Sequence, residues 1–244
     1  PMDEETPSGR LLRPQAWAQE ALLRRYVSSY VYRMNLRAAR GEDRAAAEAE
    51  EARFRAAVDA LQGGSSGVAS PKLALLITDS QAMDCVHPWT LDHGGQPTVP
   101  VTTFSVMMAN FVSGGRLPKF VEGLHVLSDI AKRESKAKVL ICEACNHDRI
   151  ADDIGTVQIP RHLTRLFGDR ISVDWSFGRE YATKNLRDYD VVIHCGGCML
   201  DQQRMRARLA DIESTGVPIT NYGLILSWVQ SPLALERVLE PWTW

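Results

Sequence analysis

No apolar run in this chain approaches the roughly 18 residues that a membrane-spanning helix needs, so no membrane segment is expected. An excess of one charge is missing too. The 28 Lys and Arg residues stand against 30 Asp and Glu, a net charge of −2. Nothing in that balance calls for a polyanionic partner, so nucleic acid is not expected. The opening residues, Pro1-Met2-Asp3-Glu4-Glu5-Thr6, are acidic and polar and form no secretory leader. Pro1 ahead of Met2 reads as the edge of a fragment. No repeat of fixed period runs through the chain. Cysteine is scarce, five residues in 244, yet four of the five form two Cys-x-x-Cys pairs. In a non-secreted chain this pattern reads as metal or redox chemistry before structural disulfides.

The composition present is that of a chain able to bury a core: 45% hydrophobic and 24% charged. The length suits one large or two modest domains. Helical spacing of Trp17, Ala21, Leu22, Tyr26, Tyr30 and Met34 predicts a helix from Ala16 to about Arg40. A second, solvated helix follows over 44–61, with Phe54, Val58 and Leu61 as a thin seam. Residues 62–70 read as a loop. The run from Leu73 to Thr78 suits a strand buried on both faces of a parallel sheet. Residues 84–100 read as a polar loop. Helices are expected over 102–112 and 118–130.

The second half alternates strands and helices. Strands are expected at 138–142, 171–174, 190–193 and 217–220. Residues 144–160 read as a loop with a helical turn. Helices are expected from Met199 to Ile212 and from Tyr222 to Leu239. The alternation predicts an α/β fold of two domains, each a small parallel sheet flanked by helices. The boundary falls in the polar stretch 132–136, giving domains 1–134 and 135–244, with a charged helical insertion at about 36–70.

Two turns carry the chemistry. Cys145-Asn146-His147 follows one predicted strand, and His194-Cys195-Gly196-Gly197-Cys198 ends another. In an open parallel sheet both lie at the carboxyl edge, where such sheets bind ligands. Cys145, Cys195 and Cys198 with His147 and His194 then form a donor set for zinc or an iron–sulfur cluster. The two glycines let both sulfurs of the pair face one centre and bare amide N–H groups toward it. A helix starting near Met199 would add a positive dipole end. Cys85 and Cys142 read as packed in the core. His87 and His93 lie in a loop without a partner motif, and His125 and His162 read as surface. Arg204, Arg206 and Arg208 are expected to face solvent.

Cys-x-His, then forty-six residues, then His-Cys-x-x-Cys resembles the cluster signature of HydF, the [FeFe]-hydrogenase maturation factor family. Glu143-Ala144, Asp153-Ile154-Gly155-Thr156, Gly216-Val217-Pro218-Ile219-Thr220-Asn221-Tyr222-Gly223, Gly9-Arg10-Leu11-Leu12-Arg13-Pro14-Gln15, Thr78-Asp79-Ser80-Gln81-Ala82 and Phe120-Val121-Glu122-Gly123 agree with it. The resemblance spans nearly all of the chain except the charged region around 36–70. It implies a dimerisation domain followed by a cluster domain. The family's GTPase domain has no counterpart here, since no Gly-x-x-x-x-Gly-Lys-Ser/Thr loop is present. GTP would then belong to that missing domain alone, and this chain is expected not to be an enzyme.

By that resemblance Cys145, Cys195 and Cys198 hold a [4Fe-4S] cluster, and His147 or His194 is the exchangeable fourth ligand. Asp148 stands where the family often has a further histidine. The implied role is a scaffold that carries a diiron precursor with CO and cyanide ligands to the apo-[FeFe]-hydrogenase. The implied partners are a second copy of the chain through the middle domain, the apo-hydrogenase and the radical-SAM maturases. The strand at 73–77 and the helix face of Met107, Met108 and Phe111 are candidates for core or interface. The implied compartment is cytoplasmic for a bacterial chain and the chloroplast stroma for an algal one. Two rivals remain on the residues alone: a structural zinc domain, and a thiol oxidoreductase using Cys195 and Cys198.

Overall fold

The computed structural model describes residues 11–62, 73–130, 132–133, 135–144, 153–197 and 200–242. It is mixed α/β, with two parallel sheets flanked by helices. The first half opens with α1 (Arg13–Leu23), α2 (Leu36–Ala39) and α3 (Arg44–Leu61). The helix expected to run to about Arg40 stops at Leu23. Tyr26 takes a left-handed backbone, φ 57°, which ends a helix, and residues 27–35 after it form neither helix nor strand. As a result Leu23, Tyr26, Val27, Tyr30 and Val31 stand exposed. The helix expected over 44–61 forms as α3, capped by Asp43, with Glu50, Phe54 and Val58 buried.

A two-stranded parallel sheet follows, β1 (Leu76–Thr78) paired with β2 (Val101–Thr103). Leu76 and Ile77 are half-buried rather than enclosed on both faces. Between these strands lies α4 (Met83–Trp89), where a loop was expected. Its apolar residues Met83, Cys85 and Val86 are buried, and Pro88 sits near its end. His87, on this helix, bonds to Arg237 and Ser231 and so has the partners that the sequence did not reveal. Then come α5 (Phe104–Ser113) and α6 (Leu117–Ile130); the helix expected from residue 102 starts two residues later, because Thr102 and Thr103 belong to β2, a strand that was not expected.

The second sheet has order β4-β3-β5-β6, all parallel. Its strands are β3 (Ala137–Glu143), β4 (Ile171–Phe177), β5 (Val191–His194) and β6 (Ile219–Asn221). A π-helical turn at Ile154–Gln158 runs into α7 (Ile159–Phe167), which links β3 to β4. α8 (Gln202–Glu213) links β5 to β6. The last stretch is two helices, α9 (Tyr222–Gln230) and α10 (Pro232–Leu239). The break comes at Ser231-Pro232. A proline inside a helix removes a backbone hydrogen bond and crowds the preceding turn, whereas it is tolerated at the first position of a new one.

The expected division at residue 134 falls between the two sheets, and helices pack across it. α6 lies against β5 and β6, while α9 and α10 return to α5 and β2. Buried apolar residues from both halves form one continuous core. Among the described residues no helix is long and apolar enough to cross a membrane.

Candidate metal centre

The strand order sets where a ligand can enter. From β3 the chain crosses to β4 on one side, and from β5 it crosses to β6 on the other. The carboxyl ends of the adjacent strands β3 and β5 therefore flank a crevice, the position where open α/β sheets bind ligands. Cys142, His194 and Asn221 share one register across this edge. β3 ends at Glu143, two residues before Cys145, and β5 ends at His194.

Cys195 stands at this edge. Its amide donates to the Cys142 carbonyl at 3.0 Å, extending the β3–β5 ladder by one bond. Its Sγ accepts a hydrogen bond from the Ala144 amide at 3.1 Å. Such a bond favours sulfur in its anionic, metal-binding form. Gly197 follows in a left-handed conformation, φ 63°. Cys145, His147 and Cys198 lie outside the described residues. Among the described residues no three His, Cys, Asp or Glu side chains gather closely enough to hold a metal. The structure thus positions Cys195 and His194 of the five expected site residues.

Both ring nitrogens of His194 are engaged. Nδ1 lies 2.7 Å from the Cys195 carbonyl, and Arg208 Nε donates to Nε2 at 2.7 Å. This fixes the tautomer with the proton on Nδ1. Burial, and then the Arg208 charge, push the imidazole pKa down to about 3. Arg208 does not face solvent as the sequence suggested. It is buried over the Tyr181 ring at 4.2 Å and also bonds to the Gly178 carbonyl. α8 presents Arg204 and Arg206 outward and Arg208 inward, because a helix of this register turns Met205, Arg208, Leu209 and Ile212 to the core.

α8 starts at Gln202, three residues later than expected, and Asp201 caps it by accepting from the Arg204 amide at 2.8 Å. Its N-terminus is therefore already served by a carboxylate. Cys142 is fully buried, and burial pushes its thiol up to about 11. Cys85 is raised to about 12 by burial first and then by Asp84. Both behave as the packed cysteines that the sequence suggested.

Cys195 and Gly196 face a cavity of about 110 Å³, also walled by Ser80, Glu143, Asp153 and Tyr222. Asp153 accepts from the Thr156 amide and hydroxyl, each at 2.7 Å, and so caps the π-helical turn. Asp79 accepts from the Gln15 amide at 3.4 Å. The Tyr222 phenol is raised well above its usual range by burial, then by Cys195, Glu143 and Asp153. It stays protonated.

A [4Fe-4S] cluster needs thiolates at a partly enclosed crevice, with amide donors and little competing water. Cys195 with its amide bond, beside this cavity, supplies one such thiol; the other two expected thiols lie outside the described residues. The wall residues Gln15, Asp79, Ser80, Glu143, Asp153 and Tyr222 lay inside the resembling segments, but sequence reasoning gave them no site role. The signal that could have found them is the resemblance itself. Most of those segments, scattered from Leu12 to Tyr222, reach one cavity.

Comparison with known families locates residues 118–241 within the model of the hydrogen maturase F tetramerization domain. The match begins inside α6 and runs past α10. No curated protein matches the chain significantly.

Proposed function

Because the chain belongs to the hydrogen maturase F family, we propose that it binds a [4Fe-4S] cluster and serves as scaffold and carrier in hydrogenase maturation. Cys145, Cys195 and Cys198 would hold the cluster, with His147 or His194 as the exchangeable fourth ligand. When bound, the cluster would supply an iron with one labile position, through which a diiron cargo could be held and passed to the apo-hydrogenase. The cargo carries CO and cyanide ligands and is supplied by the radical-SAM maturases. The chain's own residues bind, orient and exclude water, and carry no covalent step.

The observation that carries this reading is the Cys195 thiol at the β3–β5 crevice, bonded by the Ala144 amide and facing a cavity. Of the two imidazoles, His147 is the better supported fourth ligand. Using His194 would require breaking its bond to Arg208 or to the Cys195 carbonyl. His194 then orients the Cys195 turn.

We read the chain as self-associating through its first half. Leu23, Tyr26, Val27, Tyr30 and Val31, close together in the chain, are all exposed, and large apolar side chains left in water in this way support an interface there. Of the interface candidates in the sequence, Met108 is buried in the core, and Phe111 stands half-exposed with Trp17 at its edge.

Anaerobic reconstitution with iron and sulfide, followed by metal analysis and electron paramagnetic resonance of the reduced protein, tests the reading. The expected result is about four irons per chain with a [4Fe-4S] signal. The signal is lost on Cys195→Ala, altered on His147→Ala, and kept on His194→Gln. Tightly held zinc without that signal would instead establish a structural zinc domain.

A further inference from the structure

From Ala21 to Gly41 the chain has five arginines and no Asp or Glu. Arg24 is paired with Glu20 and Arg40 with Asp84. Arg25 and Arg33 are exposed and have no ion-pair partner among the described residues. They flank Tyr26, Val27, Tyr30 and Val31, whose exposures run from 46% to 99%. The far end of this arm is fixed to α3. Glu50 there accepts from the Tyr32 hydroxyl at 3.1 Å and from the Asn35 amide at 3.0 Å.

A groove of about 610 Å³ opens beside another face of α3. Val58 and Asp59 of α3, Pro88 and Trp89 of α4, and Leu91 and Asp92 of the loop that follows line it. Glu51 and Arg55, also in the lining, pair with each other at 2.8 Å. The net negative charge therefore comes from Asp59 and Asp92, both exposed and without a cationic partner among the described residues. Helical spacing turns Glu51, Arg55, Val58 and Gln62 roughly 100° away from Glu50 and Phe54. The chain's own arm is thus anchored on a different face, and its tyrosines stand in solvent instead of in this groove.

Arm and groove complement each other in charge and in polarity. The arm offers cations beside aromatic rings. The groove offers carboxylates beside apolar Val58, Trp89 and Leu91. Two tyrosines from each of two arms would cover roughly 600–1,000 Å² on the arm side alone. With the groove side added, that reaches the roughly 1,200–2,000 Å² of a stable interface. Arm and groove both lie outside residues 118–241, the family match.

We propose that the groove between α3 and the end of α4 receives the arm of a second copy of this chain, residues 23–33, in a reciprocal exchange. This rests on the reading of the arm as a self-association surface and adds the surface that receives it. In such an exchange each chain gives one arm and takes one, so the contact closes on itself.

The test is sedimentation of the 244-residue chain and two variants at low ionic strength, alone and mixed. Arg25→Glu with Arg33→Glu makes the arm acidic. Asp59→Lys with Asp92→Asn makes the groove basic, and Asn keeps the side-chain oxygen that accepts from the Gly94 and Gln96 amides. All four positions are exposed, and circular dichroism checks that each variant folds. The expected result is self-association weakened at least about tenfold in each variant alone, because like charges then face each other. An equimolar mixture should regain it, since each arm then meets a groove of opposite charge. A groove variant that assembles like the parent would overturn the proposal; if the arm variant still dissociates, the arm remains an interface with another receptor. Two losses without recovery on mixing would also overturn it. A parent chain that sediments as a single copy would overturn both the proposal and the self-association reading.

Discussion

Arg208 Nε donates to His194 Nε2 across 2.7 Å, joining α8 to the last residue of β5 inside the core. The guanidinium has no carboxylate partner in this contact. A neutral imidazole accepts from it, and the Tyr181 face lies against it at 4.2 Å. Arg208 is thereby a positioning residue for the strand end that leads into Cys195.

Arg208→Ala should destabilise the protein by about 2–4 kcal/mol, since it strands a buried imidazole nitrogen and removes the stacked side chain. Arg204→Ala, on the exposed face of the same helix, should stay within about 0.5 kcal/mol. Urea unfolding followed by circular dichroism measures both. Similar losses in the two variants would refute the buried role of Arg208.

Gly155→Ala should cost about 1–3 kcal/mol, because its methyl group meets the Tyr222 hydroxyl oxygen at 2.3 Å. In a Tyr222→Phe background the oxygen is gone and the cost should shrink. A double-mutant cycle on unfolding free energy reads that coupling. A cost unchanged by Tyr222→Phe would show that the methyl group meets something else.

His87 gives a pH dependence far from the cluster edge. Burial, and then the Arg237 charge, lower its pKa below the usual 6.5. Below that pH the unfolded chain takes up a proton that the folded chain resists. Stability is therefore full above about 6.5 and falls as pH drops. His87→Gln should flatten the fall. Comparing urea midpoints at about pH 7.5 and 5.5 tests it, and parallel losses in the two proteins would rule out His87 as a source.

Tyr26 is 99% exposed and Tyr30 72% exposed, so neither has much contact within its own chain to lose. Tyr26→Glu with Tyr30→Glu should leave unfolding free energy within about 0.5 kcal/mol and shift the chain to a smaller species in sedimentation. An unchanged assembly would place the interface elsewhere.

Much of this protein was legible in one dimension. The strands of the second sheet are short β-branched runs between polar residues, and such runs have one stable home, the interior of a parallel sheet. α3, α5 and α6 announced themselves by period and composition. The place of Cys195 could be read, because it follows directly on the β-branched run that forms β5. α4 could not be read, because its helix is stabilised by packing in the core rather than by propensity, and Pro88 argues against it. The end of α1 and the break at Pro232 depended on backbone conformation, where hydrophobic period says little.

The sequence by itself determined the fold class, the family and the position of the Cys195 thiol just after β5, since each depends on residue type and spacing. Tertiary structure alone decided the rest. It turned Arg208 from a surface cation into the partner of His194, because the register of α8 against β5 sets which face is buried. It also brought Ser80, Asp153 and Tyr222 to the cavity beside Cys195. No local pattern ties together residues so far apart in the chain, and only the packing of helices between the two sheets and the return of α9 place them on one wall.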